Sequence, residues 1–202
     1  IVLTMPTTGV LETDHLKYGS TYSDEVANAG YYSSTLDKYD IKVQATATTR
    51  TGVSNYIFPK GKSNILLNLG LGLTNEQGGS IKVVSPTEIE GVRNVGAFCY
   101  LKADESYPVY FVAKFSEPSN EFGVWKNSLV EKGVESEWMS YNGKTRLYKN
   151  FRKEVIGDSI GAYMSYDFKK TTSVEVKIGV SYVSIENARE NLLSETRKLS
   201  FE

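Results

Sequence analysis

Disulfide, thiolate-metal and histidine chemistry are nearly closed to this chain. Its 202 residues include one cysteine, Cys99, and one histidine, His15. A single cysteine excludes an internal disulfide and a thiolate cluster. A single histidine excludes a histidine-rich zinc site. Charge of one sign is lacking too: 23 Lys and Arg stand against 24 Asp and Glu, a formal net charge of −1. No basic block marks nucleic acid or an anionic membrane as a partner. No apolar run approaches the roughly 20 residues that cross a bilayer. The opening Ile1-Val2-Leu3-Thr4-Met5-Pro6 has neither the charged lead nor the apolar stretch of a signal peptide. It reads as a strand already under way, the result of a cut inside a longer protein. So little cysteine suits a cytoplasmic protein, and equally a secreted domain whose core needs no staples. The length is enough for one large core.

What the chain has is alternation. In Ile41-Lys42-Val43-Gln44-Ala45-Thr46-Ala47-Thr48 apolar residues take every second position, which places them on one face of a strand. The run 174–182 repeats the pattern, and Ala162, Met164, Tyr166 and Phe168 do so again. Pro108 to Phe115 is more continuously apolar, which predicts a strand covered on both sides. Asn142-Gly143 predicts a hairpin, since both residues tolerate positive φ. Asp37 to Asp40 reads as a four-residue hairpin loop. Gly78-Gly79 and Ser85-Pro86 bracket a short strand at Ile81 to Val84. Many short strands at turn-limited spacing predict an all-β sandwich or barrel. One helix is predicted near Ser184 to Arg197, with Ser184 as cap and Ile185, Ala188 and Leu192 on one face. The polar, glycine-containing segment Glu117 to Lys132, which holds Trp125, reads as a long loop.

Chemistry is scarce. A glycosidase acting alone needs two carboxylates flanking one bond. Glu88/Glu90 and Glu135/Glu137 are the candidate pairs, but spacing i, i+2 on a strand makes each the wet side of a sheet. His15 sits among Glu12, Asp14 and Lys17 in a solvated loop, with no nucleophile elbow to make a triad of it. Thr74 to Gly79 carries oxygen ligands without the spacing of a calcium loop and reads as a hairpin turn. Its glycines form no dinucleotide fingerprint. Cys99, between Phe98 and Tyr100, is expected to be a buried, inert thiol.

The segment Gly30-Tyr31-Tyr32-Ser33, through Leu36-Asp37 and Thr48-Thr49-Arg50-Thr51-Gly52, to Tyr56-Ile57-Phe58-Pro59 resembles a signature of the N-terminal domain of glycoside hydrolase family 92, the calcium-dependent exo-α-mannosidases. Met5-Pro6-Thr7-Thr8-Gly9, Ile89-Glu90-Gly91-Val92-Arg93, Pro108 to Phe115, and Ile178 to Ser184 with Ala188-Arg189 and Asn191-Leu192 resemble further segments of that domain, in the same order. The resemblance implies a large antiparallel sandwich of supersandwich type with one C-terminal helix, spanning 1–202 as one domain. It implies a C-terminal helical catalytic domain as partner, mannose-containing glycans as substrate, and calcium bound by that other domain. Secretion, to the periplasm or cell surface, follows from it as well. The "P-F-G" and "S-H-T-H" segments of the family would precede Ile1. No catalytic or metal-binding residue is carried onto this chain.

Two positions depart from the family pattern. Ser54 stands where a histidine is expected, and Leu71 where a polar residue is expected. The residues singled out for the domain junction or the edge of a sugar cleft are Arg50, Arg93 and Trp125. A guanidinium offers a planar fork of donors to sugar hydroxyls, carboxylates or carbonyls; pairing within the domain is the plainer role. Three readings stay open: a non-catalytic sandwich of a mannosidase, a stand-alone carbohydrate-binding module using Trp or Tyr stacking, and a structural domain of an inactive relative.

Overall fold

The computed structural model describes residues 2–71, 76–96, 106–127, 145–149, 154–157, 159–197, 199 and 201. In chain order the elements are β1 (Leu3–Thr8), α1 (His15–Tyr18), β2 (Tyr22–Asn28), β3 (Tyr31–Leu36), β4 (Ile41–Ala47), β5 (Thr51–Phe58), β6 (Gly61–Asn68), β7 (Glu76–Ser85) and β8 (Glu88–Gly96). There follow β9 (Ser106–Phe115), β10 (Glu121–Asn127), β11 (Thr145–Lys149), β12 (Glu154–Gly157), β13 (Ile160–Phe168), β14 (Thr172–Ser181) and α2 (Ile185–Thr196). Two antiparallel sheets result. A five-stranded sheet runs β1-β6-β13-β10-β11, and a nine-stranded sheet runs β12-β7-β8-β9-β14-β5-β4-β3-β2.

The predicted alternation sets the inner faces. Ile41, Tyr56, Phe58, Ile89, Phe111, Ala113, Val174 and Val176 of the large sheet meet Ile65, Leu67, Val124, Ala162, Met164 and Tyr166 of the small one in a single buried cluster. The opposite set of each strand faces outward, and both sheets are covered there as well. On the large sheet, α2 packs Ala188 and Leu192 against Val112, so β9 is buried on both sides as its apolar run foretold. Gly179 of β14 permits this contact: a Cβ there would lie 2.5 Å from the Ala188 carbonyl oxygen and 2.6 Å from Leu192 Cβ. Ser184 caps α2, its hydroxyl accepting from Asn187 N–H at 3.1 Å. On the small sheet, the segment around α1 lies over Leu66, Trp125 and Tyr163, contributing Tyr18 and Leu11.

Several expectations need correction. Glu117 to Lys132 is no long loop, because Glu121–Asn127 is β10, paired with β13 and β11. The outward residue Trp125 is what hid it, since its cover comes from elsewhere in the chain. His15 opens a helical turn capped by Asp14, whose Oδ1 accepts from Leu16 N–H at 3.0 Å. Gly78 and Gly79 lie inside β7 at a register shift, and do not bracket the strand. The Asp37 to Asp40 loop is found as expected, with Asp40 at φ 51°. The Asn142-Gly143 hairpin, Glu135/Glu137, Trp138, Cys99 and Thr74-Asn75 lie outside the described residues.

Gly161 offers a direct test of the outer cluster. A Cβ there would meet the Trp125 ring at 2.1 Å. Gly161→Ala should cost about 2 kcal/mol, lowering the thermal midpoint by roughly 4–8 °C for a chain of this size. Gly52→Ala, with nothing within 4 Å of the new atom, should stay within about 0.5 kcal/mol. Equal midpoints for the two variants would show that the indole does not lie on Gly161.

Candidate functional site

The paired carboxylates of β8 are the nearest approach to glycosidase chemistry among the described residues. Glu88 and Glu90 point outward from β8, but α2 lies over them and they are not a wet face. Arg189 of α2 donates from Nη2 to Glu90 Oε2 at 2.7 Å and from Nη1 to Glu88 Oε1. Lys114 stands 3.5 Å from Glu88 and Lys82 3.8 Å from Glu90. Two carboxylates around one guanidinium hold a helix to a sheet. Both carboxylates are taken up by these cations beneath the helix.

Arg50 forms the converse contact. It lies in the turn between β4 and β5, and its Nε donates to Glu195 Oε1 of α2 at 2.6 Å while its backbone N–H donates to Oε2 at 2.9 Å. The Thr48 hydroxyl donates to the same carboxylate. That hydroxyl, then the two donors of Arg50, hold the Glu195 carboxyl down at about 2 against the opposing effect of burial. One helix is thus clamped twice, by its own arginine on sheet carboxylates and by its own carboxylate on a sheet arginine. Arg50 thus pairs within the domain, with a carboxylate of the helix.

Arg93 faces inward on β8 opposite Val109 and is 1% exposed. Its Nη1 donates to the Leu71 carbonyl at 2.8 Å. Leu71 follows β6 of the small sheet, so the guanidinium ties the two sheets together at one end of the sandwich. The contact uses the backbone of Leu71, which any residue at that position would supply. Ser54 lies mid-strand opposite Ala45 and Val176.

Trp125 is fully buried among Tyr18, Leu66 and Tyr163 and presents no ring face to a sugar. Its companions escaped the sequence reading. The unbroken run Ile65-Leu66-Leu67 was the available signal, since it implies cover on both faces of β6. Among the described residues, Tyr22, Tyr107 and Tyr182 are the exposed aromatics. Tyr107, at the start of β9, and Tyr182, just past β14, pair with ring centroids 5.9 Å apart, beside Val183, which is 72% exposed. This pair lies at the end of the large sheet where β8 also finishes, the end that holds Arg93.

A family model described as the glycosyl hydrolase family 92 N-terminal domain matches residues 1–181. No curated protein matches the chain. Among solved structures, the family GH92 α-mannosidase BT3965 from Bacteroides thetaiotaomicron superposes with a TM-score of 0.78 at 24% identity, over 99% of this chain and 26% of that one. The family GH92 inverting mannosidase BT2199 from Bacteroides thetaiotaomicron VPI-5482 does so with a TM-score of 0.76 at 20% identity, over 98% and 24%. These likenesses show the fold, and the chain spans about a quarter of the length of either enzyme.

The Glu195 clamp sets an acid dependence. Its folded-state pKa is depressed, so its contribution is complete above the usual value of 4.5 and is lost as pH falls from there toward about 2. Glu195→Gln should destabilise by about 1–2 kcal/mol at pH 7, allowing for the partial exposure of Arg50. In urea unfolding at several pH values, the gap between variant and wild type should narrow steadily below pH 4.5. A gap independent of pH would contradict the clamp.

Proposed function

The chain belongs to glycosyl hydrolase family 92 as its N-terminal domain, and from that premise we propose that it is the non-catalytic sandwich of an α-mannosidase, packed on a larger helical domain and forming one wall of a glycan cleft. The family match carries the reading. The relatives of known structure are mannosidases, and the other three quarters of their length offers room for a catalytic domain. An inverting glycosidase needs an acid and a base about 6.5–9.5 Å apart with a water between. The pair Glu88 and Glu90 is instead gathered onto Arg189, which supports a catalytic centre supplied by another domain.

The docking end follows from exposure. Tyr107, Tyr182 and Val183 form an apolar surface that an adjoining domain would cover. Arg93 fastens the two sheets beneath that end and acts as a positioning residue for it. Arg50 is half-exposed beside the far half of α2 and is the nearer candidate for contact across the junction. Calcium in this reading belongs to the catalytic domain. Export to the periplasm or cell surface suits a glycan substrate, and no helix among the described residues is long and apolar enough to cross a membrane.

Two measurements test the proposal. The purified chain should release no mannose from α-mannosides, with or without calcium. Release that disappears with Glu88→Gln or Glu90→Gln would refute it. In the full-length parent enzyme, Tyr182→Ser combined with Val183→Ser should lower kcat/KM at least about threefold by displacing the cleft wall. The same pair should leave the thermal midpoint of the isolated chain within about 2 °C, since exposed positions add little to stability. An unchanged parent enzyme would remove this end from the junction.

A further inference from the structure

At the other end of the sandwich, on the outer face of the small sheet, lies a cavity of about 560 Å³. The pleat builds its floor. Register places Thr7 of β1, Asn64 of β6, Ser165 of β13 and Glu121 of β10 side by side in one row across four strands. Asn64 is 3% exposed and locked in place: its Nδ2 donates to Thr7 Oγ1 at 3.3 Å and to the Gly9 carbonyl at 3.4 Å, while its Oδ1 accepts from the Ser165 hydroxyl at 2.7 Å. The row is uncharged up to Glu121, and its hydroxyls keep lone pairs for a further partner. Val10, 90% exposed, and Leu11 supply an apolar rim.

Tyr163 lines the same cavity. It is 1% exposed, and its hydroxyl has no hydrogen-bond partner among the described residues. A buried hydroxyl left unpaired is costly, and a ligand or water that meets it recovers that cost. Burial, with the charge of Glu121 adding to it, pushes this phenol up to about 12, so it stays protonated and able to donate at neutral pH. The charges at the rim are Glu121 and Asp167 against Lys62. Lys169 also stands 2.6 Å from Asp167, so carboxylates and ammoniums balance around the cavity, which suits a neutral ligand, and carboxylates are good acceptors for hydroxyl groups.

A neutral molecule rich in hydroxyls, with one apolar face, answers this lining, and the cavity is within the size range of small-molecule sites. We propose that it is a binding site for a neutral pyranose sugar, held over the Asn64–Ser165 floor with hydroxyls directed to Glu121 and Asp167 and a ring face toward Val10 and Leu11. The inference does not depend on where the chain meets another domain, because the cavity and the Tyr107–Tyr182 surface lie at opposite ends.

The test is amide NMR on the isotope-labelled chain, titrated with methyl α-D-mannopyranoside to 100 mM and, in a parallel arm, with glycerol. Saturable shifts at residues 62–64, 120–121 and 163–167, absent with glycerol, are expected. Glu121→Gln, and Lys42→Ala on the other sheet as a control outside the cavity, change exposed side chains and should leave the fold intact. Glu121→Gln should weaken binding at least about threefold, the loss of one charge-assisted hydrogen bond, and Lys42→Ala should leave it within about twofold. Three results would each overturn the proposal: no shifts at 100 mM sugar, equal shifts with glycerol, or shifts confined to the Tyr107–Tyr182 end. A Glu121→Gln variant that binds as well as the wild type would overturn the assigned pose and with it the site.

Discussion

Alternation along the strands governs this molecule. Each strand sends successive side chains to opposite faces, so packing Ile65, Leu67, Ala162 and Met164 into the shared core commits Asn64, Leu66, Tyr163 and Ser165 to the outside. The inner set closes two sheets on one another, and the outer set must find cover or water. Everything distinctive about the chain concerns how that second set is met.

The two sheets meet it differently. The small sheet uses apolar cover, with Tyr18 laid over Leu66, Trp125 and Tyr163, and with Gly161 kept bare for the indole. The large sheet uses a helix whose apolar footprint is small, chiefly Ala188 and Leu192 against Val112. Charge completes that attachment. Arg189 gathers Glu88 and Glu90, and Glu195 gathers Thr48 and Arg50. Partly buried, multiply hydrogen-bonded pairs of this kind count for more than isolated surface ion pairs. Close approach at Gly179 brings the helix near enough for these side chains to reach.

This arrangement bears on function by fixing what the carboxylates can do. Glu88 and Glu90 have the spacing that invites a catalytic reading, and the helix turns them into an anchor. Two surfaces that other molecules can meet lie at opposite ends of the sandwich. One end carries the Tyr107–Tyr182 pair with Val183, above the Arg93 tie between sheets. The other carries a polar-floored cavity.

The strands at 41–48, 108–115 and 174–182, the helix after Ser184 and the family were all legible in the amino-acid sequence. The reason is that a period of two and a capping serine are local properties, set by residues a few positions apart. β10 was not legible, nor were the burial of Trp125, the anchor role of Glu88 and Glu90, and the partners of Arg50 and Arg93. Whether an outward side chain is wet depends on what lies over it. For Trp125 that cover includes Tyr18, more than a hundred positions earlier in the chain. For Glu88 it is Arg189, a hundred positions later. The pleat assigns each residue a side, and only the tertiary structure decides which sides meet solvent.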